Sequence, residues 1–203
     1  MKLSRKFVSD YIDLDENLTI NEIAEAMTSV GNEYDAAEKL INCTNLTVGH
    51  VLECVDHPDS DHLHVCKVDI GSEVLDIVCG APNVRKGLKV IVALPGAKLP
   101  EMEIKRGVIR GVESNGMICA LFELGLEEKT DETYAKGITE LDDDAKVGKD
   151  PLAYLGLDDT LYELDVHKHR NNDCYYHIGF AYEIACILNR KVTLPSLDFK
   201  VNK

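Results

Sequence analysis

The segment from Val78 to Cys119 constrains the fold most, because its glycines and prolines divide it into short runs rich in β-branched residues. This punctuation is typical of short antiparallel strands joined by tight turns. Upstream, from about Leu46, apolar and polar residues alternate with the period of a strand, and Gly71-Ser72 separates two alternating runs as a hairpin turn would. The central part of the chain is therefore predicted to be an antiparallel β domain.

About five short strands within roughly 100 residues predict a Greek-key β-barrel of the OB type over residues 41–151. The strands are predicted at Leu46–Val55, Leu63–Ile70, Glu73–Val78 and Lys89–Leu94, with less regular ones around Ile104–Arg110 and Met117–Leu121.

Helix signals lie on both sides of this β region. They are a capping serine at Ser4, a capping-box pair at Thr19 and Glu22, a helix start at Asp150-Pro151, and a cap at Asp173 for a helix that reaches about Asn189. Two weaker short strands are predicted at residues 32–39 and 163–166.

The two flanks are too short to bury separate cores, because units of roughly 40 residues rarely fold unaided. Residues 1–40 and 152–203 are therefore predicted to pack together as one domain, split by the inserted barrel. The predicted class is α+β: a five-stranded OB-type Greek-key β-barrel inserted into a small, split, mainly helical domain.

Basic side chains are concentrated in residues 78–119, although the whole chain carries a formal net charge of −14. Because salt screens charges beyond about 10 Å, binding depends on the local field rather than on the sum. The segment is predicted to bind a polyanion, unless its charges only keep the barrel soluble by pairing with local glutamates. It contains no aromatic side chain, which favours folded RNA, recognised by shape and backbone, over a loose single strand. Its basic residues are Arg85, Lys86, Lys89, Lys98, Lys105, Arg106 and Arg110.

His62, His64 and Cys66 project from one face of a predicted strand, which raises an alternative, a metal site or a thiol enzyme. Closing a tetrahedron would need a fourth ligand from elsewhere, such as His57 or Cys79. No metal and no catalytic residue is assigned, and this alternative stays open.

Other features place the chain in a reducing compartment. Seven cysteines occur without a CxxC pair, and neither a secretory signal nor a membrane-spanning apolar stretch is found. The chain is predicted to be cytoplasmic, with no membrane association.

A set of short runs in the β region stands out in combination: His57-Pro58, Val65–Val68 (VCKV), Val78–Val84 (VCGAPNV), Arg110–Ser114 (RGVES), Gly116–Cys119 (GMIC) and Glu123–Leu126 (ELGL). These runs resemble the tRNA-binding OB domain of aminoacyl-tRNA synthetases. Further runs in the flanks extend the resemblance: Asp13-Leu14, Leu155-Gly156-Leu157, Arg170 and His177-Ile178-Gly179. Over essentially its whole length, the chain resembles the bacterial phenylalanyl-tRNA synthetase beta subunit.

The resemblance implies an N-terminal fragment of a longer subunit, which serves phenylalanine–tRNA ligase as an accessory tRNA-binding region and holds no catalytic site. It implies tRNA and the alpha subunit as partners, in an alpha2-beta2 assembly. ATP and magnesium are implied for the full enzyme, and no cofactor for this segment. The expected tRNA-binding residues are Asn83, Arg85, Lys86, Lys98, Lys105, Arg106, Arg110, Ser114 and Asn115.

The chain departs from the family pattern at three places. His62 stands where the family usually has lysine, Ala120 stands where it has serine, and His167–Asn172 replaces a Thr-Pro-Asn-Arg-Pro-like run. The first two changes are expected to weaken RNA contacts at those positions, and the third puts any contact there in doubt. The alternative function is a structural scaffold or alpha-subunit docking module with little direct tRNA contact, which the net charge favours.

Overall fold

We describe a computed structural model of the chain, which covers residues 1–15 and 17–198. The chain forms two compact units. The split unit comprises residues 1–40 and those from 159 onward, and the central unit comprises residues 41–158. The last five residues of the predicted 152–203 flank lie outside the described residues.

Within the described residues, eleven strands alternate with short helices. The strands are β1 (Lys2–Ser4), β2 (Glu33–Lys39), β3 (Leu46–Asp56), β4 (His64–Asp69), β5 (Val74–Cys79), β6 (Lys89–Ala93), β7 (Gly107–Ile109), β8 (Val112–Ser114), β9 (Met117–Cys119), β10 (Glu140–Leu141) and β11 (Thr160–Asp165). The α-helices are α1 (Arg5–Ser9), α2 (Ile20–Ser29), α3 (Asp131–Lys136), α4 (Pro151–Tyr154), α5 (Asn171–Cys174) and α6 (His177–Leu188), with 3₁₀ helices at Leu121–Leu124 and Lys168–Arg170. None of the helices in this part of the chain has the length and apolar character needed to span a bilayer.

The split unit combines helices with an antiparallel sheet in the order β1-β11-β2. Its core draws on both ends of the chain, with Leu3, Met27, Tyr162 and Phe180 fully or almost fully buried together. Beside the predicted helices, this unit contains a three-stranded sheet, in which β2 and β11 correspond to the two weaker predicted strands and β11 pairs along both of its edges. With only three residues, β1 is too short to show a period in the sequence.

Three predicted helix starts are confirmed. Ser4 caps α1, and Asp150 caps α4 with its carboxylate. At α2, the Thr19 N–H donates to Glu22 Oε2 at 2.8 Å and the Glu22 N–H donates to Thr19 Oγ1 at 3.2 Å. This reciprocal pair satisfies N–H groups that have no partner within the helix.

The predicted helix start at Asp173 was wrong. Asp173 lies inside α5, and α6 begins only at His177, because the intervening Tyr176 is extended (φ −159°, ψ 158°). A Cβ atom on Gly179 would lie 1.7 Å from the Asp173 carbonyl oxygen. The break therefore depends on a close backbone approach that glycine alone permits.

The central unit is a curled half-barrel of antiparallel strands in the order β10-β6-β3-β4-β5, with β9 also paired to β6. It has six strands rather than the predicted five, because β10 adds to the free edge of β6. The predicted strand around residues 104–110 is shorter than expected and forms a separate hairpin of β7 with β8. The predicted hairpin at Gly71, which joins β4 to β5, is confirmed; Gly71 has φ +86°.

The eleven-residue strand β3 joins the two halves of this sheet. Its first part, Leu46–His50, pairs with β6, and its second part, His50–Asp56, pairs with β4. At the crossover, a Cβ atom on Gly49 would lie 2.6 Å from methyl carbons of both Val68 and Val92. Glycine is therefore required where the sheet curls, since any side chain there would push the two neighbouring strands apart.

Gly49→Ala is expected to lower the free energy of unfolding by about 1–3 kcal/mol, the usual cost of an extra carbon in a packed core. The measurement is urea unfolding followed by circular dichroism. Gly107→Ala is the matched control, because a Cβ atom at Gly107 meets nothing within 4 Å. Equal stability of the two variants would contradict the packing argument.

Candidate nucleic-acid interface

A groove of about 450 Å³ opens on the central unit. The strand ends Val78-Cys79 and Met117-Ile118 line it, and segments 80–82, 103–109 and 134–138 contribute further residues. Most lining side chains are apolar, with Glu103, Lys105 and Glu123 as the charged exceptions.

The buried residue His57 connects the β7–β8 hairpin to the turn after β3. Its Nδ1 accepts the Asp59 N–H at 3.1 Å, so its Nε2 carries the proton and donates to the Ile109 carbonyl at 3.2 Å. The ring thus fixes the position of the hairpin relative to this turn.

Arg110 occupies the tip of this hairpin in an unusual backbone conformation. Arg110 has φ +45° and Gly111 has φ +85°, the two positive values of a type I′ turn. Arginine is disfavoured in this region, which costs of order 1–3 kcal/mol for a residue other than glycine. Its guanidinium donates to the Asp59 carbonyl at 3.0 Å, and its side chain remains exposed.

Arg85 is the predicted phosphate contact that already has a carboxylate partner. Its two terminal nitrogens donate to the two oxygens of Glu140 at 2.7 and 2.8 Å. Hydrogen bonding from Arg85 lowers the pKa of Glu140 below its usual range. A phosphate at Arg85 would compete with this bidentate pair.

The other predicted basic contacts are exposed and form no salt bridge among residues 1–15 and 17–198. Lys105 lies in the groove wall and Arg106 follows it, just before the hairpin of Arg110. Lys86 and Lys98 belong to two other loops of the central unit. The structure therefore places three of the six basic residues in one segment, 105–110, and the rest on separate loops.

Two of the three neutral candidates are used within the fold. The Asn83 side chain donates to the Ile138 carbonyl and accepts the Ile138 N–H, both at 2.9 Å. The buried Ser114 hydroxyl accepts the Val78 N–H and donates to the Gly116 carbonyl, both at 3.1 Å.

Asn115, by contrast, is bound only through its backbone, whose N–H donates to the Asp76 carbonyl at 2.8 Å. Among the three neutral candidates, Asn115 is the one whose side chain forms no hydrogen bond within the described residues.

Three residues of the groove, Phe122, Glu123 and Tyr134, were not among the predicted site residues. The rings of Phe122 and Tyr134 lie 4.8 Å apart between centroids, and Tyr134 is 56% exposed. The carboxylate of Glu123 accepts the Ala120 N–H at 2.7 Å, and burial raises the pKa of Glu123. Tyr134 lies on α3, which has no buried residue. A single aromatic residue on a polar helix was therefore the sequence signal that could have identified Tyr134 as a binding residue.

The side chains of His62, His64 and Cys66, the alternative metal or thiol site, do not come together around one point. Nδ1 of His62 lies 2.9 Å from Asp61 and Nδ1 of His64 lies 3.3 Å from Asp56, both carboxylates being exposed. Cys66 is fully buried, and burial raises the pKa of its thiol, which opposes thiolate formation.

In the part of the chain that the structure describes, one trio of side chains could reach a shared metal ion: Asp173, Cys174 and Glu183. The Arg170 guanidinium already occupies the space between them. It donates to Asp173 at 2.8 Å, to the Cys174 sulfur at 2.9 Å, and to Glu183. These residues do not fit a metal ion, because a cation fills the position that the ion would take.

The chain is similar to a domain family over its central part and to individual proteins over almost its whole length. Residues 46–150 match the family described as "Putative tRNA binding domain". The chain is 46% identical over 206 aligned residues to the phenylalanine–tRNA ligase beta subunit of Geobacillus kaustophilus, which covers 100% of this chain and 25% of that protein. It is 45% identical over 203 residues to the corresponding subunit of Bacillus subtilis, which covers 98% of this chain and 25% of that protein. The chain spans about a quarter of the length of these relatives.

A solved structure, the MetRS related protein from Pyrococcus horikoshii, aligns with a TM-score of 0.38 at 23% identity, over 51% of this chain and 84% of that chain.

The resemblance found in the sequence is confirmed by the family match and by the two phenylalanine–tRNA ligase beta subunits. The family match lies within the central unit and spans just over half of the 203 residues. This chain therefore belongs to the tRNA binding domain family.

Proposed function

We propose that the chain is an accessory tRNA-binding region of phenylalanine–tRNA ligase, the activity named for its relatives. In this proposal the whole enzyme joins phenylalanine to the terminal ribose of tRNA in the cytoplasm, as an alpha2-beta2 assembly. ATP and magnesium serve the alpha subunit, and this region contributes RNA contacts without catalysis. The half-barrel is proposed to be an OB-type Greek-key barrel inserted into a split domain.

The observation that carries the proposal is a group of exposed basic side chains that form no salt bridge within the described residues, inside the segment that matches the tRNA-binding family. Lys105, Arg106 and Arg110 are the densest part of this group. Phosphate oxygens accept hydrogen bonds from such residues without regard to base sequence. The local field of these residues therefore attracts RNA to a chain that is acidic overall.

The geometry of Arg110 supports the same conclusion. Asparagine or glycine would fit its left-handed position with less strain. The strained turn keeps an exposed, permanently charged guanidinium, bound to the Asp59 carbonyl, at the tip of a hairpin that His57 holds in place. Strained residues of this kind cluster at binding sites, where the surrounding fold maintains them.

Replacing Lys105, Arg106 and Arg110 together by alanine is expected to weaken tRNA binding about equally for all tRNAs. If each residue contacts one phosphate, the slope of log K against log salt should become shallower by a little under one unit per residue, or about 2–3 units in total. Fluorescence anisotropy titrations over a series of salt concentrations measure both effects.

The matched control replaces Lys67, Lys129 and Lys136 together by alanine, which changes the net charge by the same amount as the test variant. Each of these lysines is ion-paired with a glutamate: Glu53, Glu101 and Glu127 respectively. Equal weakening by the two triple variants would show that overall charge, rather than contact at residues 105–110, governs binding.

Asn83→Ala is expected to lower the free energy of unfolding by about 1–3 kcal/mol, because two hydrogen bonds to the Ile138 backbone are lost. Asn115→Ala serves as control and should change stability by no more than about 0.5 kcal/mol. Thermal or urea unfolding measures both variants. A stable Asn83→Ala protein with weakened tRNA binding would instead make Asn83 a direct contact.

The second candidate function is a structural scaffold or a docking module for the alpha subunit. The net charge of −14 and the internal use of Asn83 and Ser114 favour it. Pull-down of the alpha subunit with this chain, beside tRNA binding at the same salt concentration, separates the two functions. Alpha-subunit capture without measurable tRNA binding would support the scaffold.

A further inference from the structure

The groove of the central unit has features that phosphate binding does not use. Its walls are largely apolar, it carries an exposed aromatic ring, and a partly buried carboxylate faces it. Its volume of about 450 Å³ falls within the range of roughly 300–1,000 Å³ typical of small-molecule sites. A double helix recognised through its backbone needs no such recess.

We propose that the groove binds one unpaired nucleobase of the RNA, stacked on Tyr134 and donating a hydrogen bond from its edge to Glu123. This inference rests on the proposed tRNA binding and identifies an RNA element that the chain recognises in addition to phosphates. A base has two apolar faces and a polar edge, which match apolar walls with one polar group.

Tyr134 has the arrangement of a stacking platform. Its ring is 56% exposed, while the neighbouring Phe122 is buried and supports it with a centroid distance of 4.8 Å. The ring adds little to the core, since α3 contains no buried residue. Aromatic side chains of this kind stack with any base, because every base presents a π-face.

Glu123 supplies the polar contact for the edge of the base. One carboxylate oxygen accepts the Ala120 N–H at 2.7 Å, and within the described residues no hydrogen bond engages the other oxygen. An ionised carboxylate only accepts hydrogen bonds, so it favours bases that present N–H donors. Guanine presents both a ring N–H and an amino group on one edge, whereas uracil presents a single N–H.

The charge around the groove is consistent with a nucleotide. Lys105 lies in the groove wall beside the oppositely charged Glu103, and Arg106 follows Lys105 on the way to the hairpin. A base inserted between the apolar walls would carry its own phosphates past this basic segment. Phosphate binding and base binding are therefore compatible within one site.

The first test is an NMR titration of the chain with GMP and with UMP. Both nucleotides are expected to shift the signals of Ile109, Met117 and Ile138, which line the groove, and GMP should bind more tightly. Tyr134→Ala should weaken GMP binding by about 5- to 100-fold, the typical range for loss of one stacked base. Tyr134→Phe keeps the ring and should bind GMP like the original chain.

Two further variants make the test specific. Tyr175→Ala removes a tyrosine that is 57% exposed in the split unit and should leave GMP binding unchanged. Glu123→Gln keeps the acceptor for the Ala120 N–H and should reduce the preference for GMP over UMP by about 5-fold. Circular dichroism of each variant confirms that it is folded.

The outcomes distinguish this inference from the proposed function. If neither nucleotide shifts the groove signals, or if Tyr134→Ala binds GMP normally, the nucleobase site is refuted. Loss of tRNA binding in the Lys105, Arg106 and Arg110 variant would still support the proposed function in that case. Conversely, GMP binding that depends on Tyr134, in a chain that binds no tRNA, would support a nucleotide site and contradict the accessory tRNA role.

Discussion

The central unit depends on one strand that pairs with two different neighbours. β3 holds β6 along its first half and β4 along its second, and Gly49 leaves the space in which the sheet curls between them. Both groups of strand ends that line the groove are connected to β3, one through β4 and β5, the other through β6 and β9. The groove is therefore a consequence of the curvature of the sheet rather than of the loops alone.

The charge distribution shows why a net charge is a poor guide to binding. The chain carries −14 overall, yet the exposed basic residues at 105–110 form no salt bridge within the described residues. Several other cations of the central unit are neutralised locally: Arg85 by Glu140, Lys67 by Glu53, and Lys129 by Glu101. Pairing elsewhere in the unit leaves Lys105, Arg106 and Arg110 without a salt bridge among the described residues. Hydrogen bonding from His62 and, to a smaller extent, the charge of Arg110 lower the pKa of the exposed Asp61. The effect of these cations on a ligand extends over about one screening length.

Local chemistry determined which features the sequence could predict. The positions of most central strands, the Gly71 hairpin and the Thr19–Glu22 capping box follow from period-two alternation and from contacts within a few residues. The break before α6 could not be foreseen, because it depends on Gly179 approaching a carbonyl of another helix. At the candidate site, the basic residues could be identified from the sequence. The Arg85–Glu140 ion pair could not, because it joins residues 55 positions apart, and neither could the place of Tyr134 in the groove, which depends on the tertiary fold.

The order of strands in the split unit has a consequence for synthesis. β11 is the middle strand of its sheet, but it is made more than 100 residues after β1 and β2, which pair with its two edges. A chain emerging from the ribosome at about 5–20 residues per second exposes both edge strands for several seconds before their partner exists. The central unit is complete in that interval, so the earliest part of the chain is the last to find its hydrogen-bonding partners.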